Sequence, residues 1–192
     1  MKKILQKNEK ILRQTAQEVP IPDIKTIKIK KILKEMSEAL KSQDDGLAIA
    51  APQIGYTLRI FLVSNKIFQT EFLKYNTSQK NNLKSNTLET LENKNTTQID
   101  FTPKDLVFIN PKISKLSQKK EWMPEGCLSV RPLYGKTFRS TKATILAYDE
   151  NGKKFTRGAS GILAQIFQHE TDHLNGILFI DHAKEIQEES IK

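Results

Sequence analysis

The sequence predicts an α+β fold in which antiparallel sheets pack around a central late helix, with an amphipathic helix near the N-terminus. Three observations carry that expectation. "DIKTIKIKKILKEMSEALKSQDD" (residues 23–45) places Ile29, Ile32, Leu33, Met36 and Leu40 at helical spacing, opposite a face made mostly of lysine. Short apolar runs bounded by turn residues follow as strands, "YTLRIFLVS" and "DLVFINPKISKL" among them. "SGILAQIFQHETDHLNG" then reads as one helix close to the end of the chain.

Taken in order, the first helix has Asp23 as its expected N-cap. "GLAIAAPQIG" is a small-residue segment ending in turn signals, ahead of the strand "YTLRIFLVS". Between residues 66 and 105 the chain changes character, and "NTSQKNNLKSNTLETLENKNTTQ" is rich in Asn, Thr, Lys and Ser. Such a composition favours mobility over a second core. The expectation is one domain over residues 1–192 with a flexible surface insertion at 66–105. "DLVFINPKISKL" reads as an apolar strand, a turn marked by proline and a second strand. "KATILAYDENGKKFTRGAS" is a hairpin with Asn151-Gly152 as its two-residue turn. In the last helix Ser160 is placed to cap the start, and Gly176 to supply the left-handed residue after the end.

A chain of 192 residues is long enough to bury a core without disulfides, and its single cysteine, Cys127, permits none within the chain. Net charge is +9, and its distribution is uneven. Residues 107–163 hold eleven Lys/Arg against four Asp/Glu, whereas residues 164–192 hold two against six. The basic excess thus lies over strands and turns, and reads as a solvated surface. It admits transient proximity to the ribosome and predicts no specific nucleic-acid partner. No apolar run approaches a membrane span, so no membrane association is expected. "MKKILQKNEKILRQTAQEVP" has neither a secretory apolar core nor the acid-poor character of a transit peptide, and the expected location is cytoplasmic.

The chemistry centres on "FQHETDHLNG" (residues 167–176), which contains His-Glu-x-x-His. His169 and His173, four apart on a helix, share one face and can grip one metal ion, with Glu170 between them as a base. Ile162 and Ile166 lie on the same face, so it points into protein. That makes this the metal-binding helix at the centre of the expected fold. A third ligand has to come from elsewhere. The metzincin position holds Phe179, which cannot bind metal, and His182 lies three residues too far. Glu185, Glu188 and Glu189, the gluzincin-type choices, sit in an exposed-looking tail. Cys127 remains, in "PEGCLSV" (residues 124–130), after a Pro-Glu-Gly turn. Two histidines, a thiolate and one open position would make a catalytic four-coordinate site.

Three motifs in order resemble those of the peptide deformylases: "GLAIAAPQ" (46–53), "EGCLS" (125–129) and "QHETDHLNG" (168–176). The similarity runs from about residue 4 to about residue 182, interrupted by the insertion. It implies a metal-dependent amidohydrolase that removes the formyl group from the N-terminal formyl-methionine of new polypeptides and releases formate. Its partners would be N-formylmethionyl nascent peptides. By this resemblance Cys127, His169 and His173 hold one divalent metal ion, with Fe2+ expected in vivo and Zn2+, Ni2+ or Co2+ as substitutes. Glu170 is the base, and the Gln53 side chain and the Leu128 N–H are the oxyanion donors. Gly46, Ala48, Ile162 and Ile166 are expected to contact substrate, and Gln165 is expected beside Ile162 and Ile166 in the methionine pocket, with its polarity as the argument for another direction. Asp172, Arg139 and Gln168 are expected to support the ligands, Asp172 by pairing with Arg139. One departure is Ala48, which stands where the family has glycine. Two other readings remain open at this stage, a His-Glu-x-x-His peptidase and a catalytically silent binding protein on the same fold. In some relatives a basic C-terminal extension docks on the ribosome, and the acidic "AKEIQEESIK" does not resemble it.

Overall fold

The computed structural model describes residues 2–67 and 104–188, so most of the expected insertion lies outside the described residues. The first apolar stripe forms helix α1 (Ile27–Lys41), burying Ile29, Ile32, Met36, Ala39 and Leu40 at steps of three and four. Its cap is not Asp23. Residues Ile21–Lys25 make a separate 3₁₀ turn, which ends at an extended Thr26. Thr26 Oγ1 donates to the Asp23 carbonyl (2.7 Å) and accepts from the Ile29 N–H (3.4 Å), so the cap moves three residues downstream.

Five strands make one antiparallel sheet in the order β1 (Ala48–Ala50), β2 (Ile60–Val63), β3 (Leu106–Leu116), β6 (Lys142–Tyr148) and β7 (Lys154–Ser160). A second antiparallel sheet joins β4 (Lys120–Gly126), β5 (Leu133–Ser140) and β8 (Lys184–Glu188). Strand β2 shows how the larger sheet is covered. All four of its residues are buried, and alternation sends Ile60 and Leu62 toward α1 but Phe61 and Val63 toward helix α2 (Gly161–Leu174). Phe61 stacks on Phe108 with ring centroids 4.5 Å apart, and Phe167 of α2 meets Phe108 edge-on at 5.2 Å. The late helix is therefore held between the large sheet and the small one.

Two strand expectations need correction. "DLVFINPKISKL" is one strand, β3, and its proline marks a bulge instead of a turn: the register against β6 slips between Ile109 and Lys112. Asn110 takes φ 51°, and its amide bonds both the N–H and the carbonyl of Val19 at 2.7 Å. Pro111 has no N–H to give the ladder, so a bulge costs nothing there. The β6–β7 hairpin forms, but its last pair is Tyr148 with Lys154, leaving five residues in the loop. Asp149 Oδ1 accepts from the N–H groups of Asn151 (2.9 Å) and Lys153 (2.8 Å), and this side-chain turn replaces the two-residue one.

At the ends of α2, Ser160 occupies the N-cap position without a side-chain cap bond. Gly161 turns the chain into the helix at φ 58°. Gly176 takes φ 75° after the C-terminus, and a Cβ there would lie 2.6 Å from the Arg13 carbonyl oxygen. Only glycine lets the N-terminal segment cross that close.

Candidate metal centre

Helix α2 brings His169 and His173 together with ring centroids 4.8 Å apart. Cys127 arrives from the other sheet, directly after β4. The expected Pro-Glu-Gly turn is absent: Pro124, Glu125 and Gly126 are strand residues, paired with Lys136, Gly135 and Tyr134 of β5. A paired strand fixes the thiol better than a free turn would. Cys127 Sγ lies 3.1 Å from His173 Nε2, and one donor atom from each of Cys127, His169 and His173 falls within 4.8 Å of the others. His169 Nδ1 faces Glu125 Oε1 at 2.7 Å, which leaves Nε2 as its free ligand atom. Two imidazoles and a thiol in this arrangement match the donor set of a divalent transition metal.

Glu125 is the buried residue that sequence reasoning missed. Besides His169, its carboxylate accepts from Thr137 Oγ1 (2.6 Å), Arg139 Nη2 (2.7 Å) and Nε (3.1 Å), and Gln165 Nε2 (3.2 Å). Burial alone would raise its pKa, but His169 and Arg139 together hold it well below the usual carboxylate range. Arg139 also donates from Nη1 to Asp172 at 2.6 Å, so a continuous charge chain runs from Asp172 to the His169 ring. A signal existed in the alternation of β4: Glu125 shares the strand face of Met123 and Cys127.

Gln165 lines the cavity beside Ile162 and Ile166, and its polar end is used there: it donates to the Pro124 carbonyl (2.8 Å) as well as to Glu125. Gln168 makes no hydrogen bond to Cys127, His169 or His173. It accepts from the Ser140 N–H (3.0 Å) and donates to the Ser140 carbonyl (2.9 Å), clamping α2 to the end of β5. One helical step is ~100°, so the neighbour of His169 has to point away from it.

Glu170 is buried, and its Oε2 has no hydrogen-bond partner; His173 Nδ1 is the other such atom among the described residues. Burial pushes the Glu170 carboxyl up to about 7, against the lowering effect of His169. Burial also lowers both histidines. At His169 the adjacent Cys127 and Glu125 outweigh it and raise the pKa, whereas His173 stays well below the ordinary imidazole value. The negative groups that favour a proton on His169 equally favour a metal cation beside it.

These residues open onto a cavity of about 1020 Å³. Gln53, Leu128, Ile162 and Ile166 line it, as do Gly46, two residues before the edge strand β1, and Ala48, the first residue of that strand. Ile166 is buried, but Ile162 is 41% exposed, so the α2 face that carries both turns toward solvent at its first residue. A Cβ on Gly46 would come within 3.0 Å of Gln43 Cβ and Leu40 Cδ1, so the glycine seats this rim against the end of α1. Gln53 is fixed on both sides. Its Oε1 accepts from the Ala50 N–H (2.7 Å), and its Nε2 donates to Ser129 Oγ (3.0 Å) and lies 3.6 Å from Cys127 Sγ.

A family model for polypeptide deformylase matches residues 1–189. The chain belongs to the polypeptide deformylase family. Peptide deformylase 2 of Clostridium acetobutylicum is 32% identical over 182 residues, which are 94% of either chain. The peptide deformylase of Borreliella burgdorferi is 37% identical over 158 residues, 82% of this chain and 74% of that one. Among solved structures, a peptide deformylase from Thermotoga maritima matches with a TM-score of 0.71 at 25% identity, covering 96% of this chain and 98% of that one. The Plasmodium falciparum peptide deformylase, in complex with an inhibitor, gives 0.69 at 30% identity, covering 95% and 90%. The α+β fold expected from sequence is the deformylase fold. The activity is that of a peptide deformylase, removal of the formyl group from nascent peptides.

Proposed function

We propose that Cys127, His169 and His173 hold the single metal ion of this deformylase and that Glu170 is its general base. The convergence of one thiol and two imidazoles within 4.8 Å, on a cavity that Glu170 also lines, carries the reading. When bound, the ion would activate water at neutral pH by lowering its pKa toward ~7. Glu170 takes the proton of the attacking water and delivers it to the amine that leaves as formate departs. Burial suits it to both halves of that transfer, because a carboxyl with a pKa near neutrality accepts and returns a proton readily. Gln53 Nε2 and the Leu128 N–H receive the charge that develops on the formyl oxygen. Gln53 is held by Ala50 and Ser129, so its amide is oriented before substrate arrives. Glu125 fixes the His169 ring, and Arg139 and Asp172 fix Glu125. Ile162, Ile166, Gly46 and Ala48 form walls for the methionine end of the formylated chain.

Thiolate and imidazole ligands suit Fe2+ as well as Zn2+. In the cell the ion would be Fe2+, with Zn2+, Ni2+ or Co2+ in purified protein. The chain would be one domain with an insertion at 66–105, acting in the cytoplasm. Its +9 charge would favour brief encounters with ribosomes. No helix among the described residues is long and apolar enough to cross a membrane.

The test is formate release from a short formyl-Met peptide by anaerobically prepared, Fe2+-loaded protein. Glu170→Gln is expected to lower kcat by at least ~10²-fold while the protein keeps its metal content. Equal turnover by the variant would remove Glu170 from the mechanism.

A further inference from the structure

The three-stranded sheet has two unlike faces. Toward α2 it presents Glu125, Thr137 and Arg139, all buried and bonded to one another. Alternation sends their neighbours along β4 and β5 outward. There Trp122 of β4 is paired with Phe138 of β5, and the two rings lie side by side with centroids 5.3 Å apart and planes tilted by 38°. They are 44% and 51% exposed, and Trp122 is the only tryptophan in the chain. Lysines stand over both rings. Lys184 of β8 places its ammonium 4.9 Å from the Trp122 centroid, and Lys120 of β4 holds its own 5.9 Å from that of Phe138. Among the described residues neither of these lysines forms an ion pair, whereas Lys136 between them in sequence is neutralised by Glu185 at 2.5 Å.

Two adjacent large rings open to water are an uncommon use of a soluble surface and mark a place where something docks. Their company decides what fits. Lysine is depleted from the cores of protein–protein interfaces, and a second copy of this chain would bring the same positive charge against these lysines. A ligand suited to the face has flat rings to stack and a negative charge beside each ring. Single-stranded nucleic acid has both in every nucleotide, a base for the aromatic side chain and a phosphate for the lysine. An ammonium over an exposed ring is weakly held, so Lys120 and Lys184 turn to phosphates as bases take their places on the rings. We propose that the outer face of this sheet, centred on Trp122 and Phe138, is a stacking site for single-stranded RNA, with Lys120 and Lys184 as its phosphate contacts. Stacking accepts any base, so the site reads no sequence. RNA is preferred to DNA as the occupant because the substrates of a deformylase are nascent peptides, which are made on RNA. That choice rests on the deformylase reading, and the stacking face does not.

The test follows the fluorescence of Trp122 in Zn2+-loaded full-length protein titrated with an oligouridylate of about 12 nucleotides. Saturable quenching is expected, with a Kd of about 10⁻⁴ to 10⁻⁶ M and a log–log salt slope of about −1.4 for two phosphates. An RNA duplex of the same length, whose bases are already stacked on one another, is expected to leave the fluorescence unchanged. Phe138→Ala keeps the reporter and is expected to weaken binding about 5- to 100-fold. Its turnover of a formyl-Met peptide should equal that of the native chain, which shows that the fold is intact. Lys120→Gln combined with Lys184→Gln should bring the salt slope close to zero. Absence of quenching at ~1 mM oligonucleotide, equal quenching by the duplex, or native affinity in both the phenylalanine and the lysine variants would overturn the proposal. So would a native dimer in sedimentation that Phe138→Ala dissolves, since the face would then belong to a second copy. Binding of an oligodeoxyuridylate ~10-fold or more tighter would overturn RNA as the occupant. Absence of formate from the native chain would instead overturn the deformylase reading, with the titration unaffected.

Discussion

At the scale of single residues, the centre depends on a side chain that is not itself a ligand. Glu125 joins β4 to β5 through Thr137 and Arg139, and to α2 through His169 and Gln165. Replacing Glu125 by Gln keeps the shape and removes the charge, leaving Arg139 with Asp172 alone. Breaking a buried pair from one side is costly, so Glu125→Gln is expected to lose roughly 3 kcal/mol of stability in urea unfolding. Metal affinity, read by competition with a chelator, should fall ~10- to 100-fold as the His169 ring loosens. A stability change under ~0.5 kcal/mol with unaltered affinity would mean that the ring is oriented without it. The proposed ligands and Glu170 could be singled out in the sequence because two histidines repeat at a helical interval and the remaining candidate is the only cysteine. Glu125 was not legible as a hub, because its partners come from β5 and α2 and no spacing in the chain encodes that meeting. The turn of a helix at Gln168 was legible in principle. The motif drew it toward the site although its side chain lies ~100° round the helix from that of His169.

Individual elements tell a similar story. The stripe of α1, the helix α2 with Gly176 behind it, and the β6–β7 hairpin could all be read from local periodicity and turn residues. What could not be read were features whose cause lies far along the chain. The bulge in β3 is one, since Asn110 holds its left-handed conformation by bonding Val19, 91 residues earlier. Proline beside it suggested a turn, but β3 continues because β2 and β6 flank it on either side. Asn110→Ala would leave the Val19 N–H and carbonyl unpaired in a buried place and force alanine into a positive φ. The expected loss is about 2–4 kcal/mol, measured as a drop in urea midpoint at constant slope. Asn110→Asp restores the acceptor but not the donor, and is expected to fall between the two. An alanine variant as stable as the native protein would show that the bulge is imposed by the neighbouring strands alone.

For the whole molecule, the position of the donors matters more than their number. His169 and His173 belong to a helix packed on the five-stranded sheet, whereas Cys127 extends from the three-stranded one. A metal ion held by all three would tie the two sheets together at one point. The unfolded chain cannot assemble such a site, so binding to the folded state becomes folding stability. With free Zn2+ at ~100 times its dissociation constant, the gain is about 2.7 kcal/mol. For a chain of this size that corresponds to a rise in Tm of roughly 5–10 °C, reversed by a chelator. Thermal unfolding followed by circular dichroism across a Zn2+ titration measures it directly. Cys127→Ser separates the bridge from a site confined to the helix, because an i, i+4 histidine pair alone can still bind the ion while leaving the sheets untied. Loss of most of the shift in that variant is the expected outcome. A shift that survives the substitution intact would place the ion on α2 alone, and Cys127 would then have to be explained without a metal.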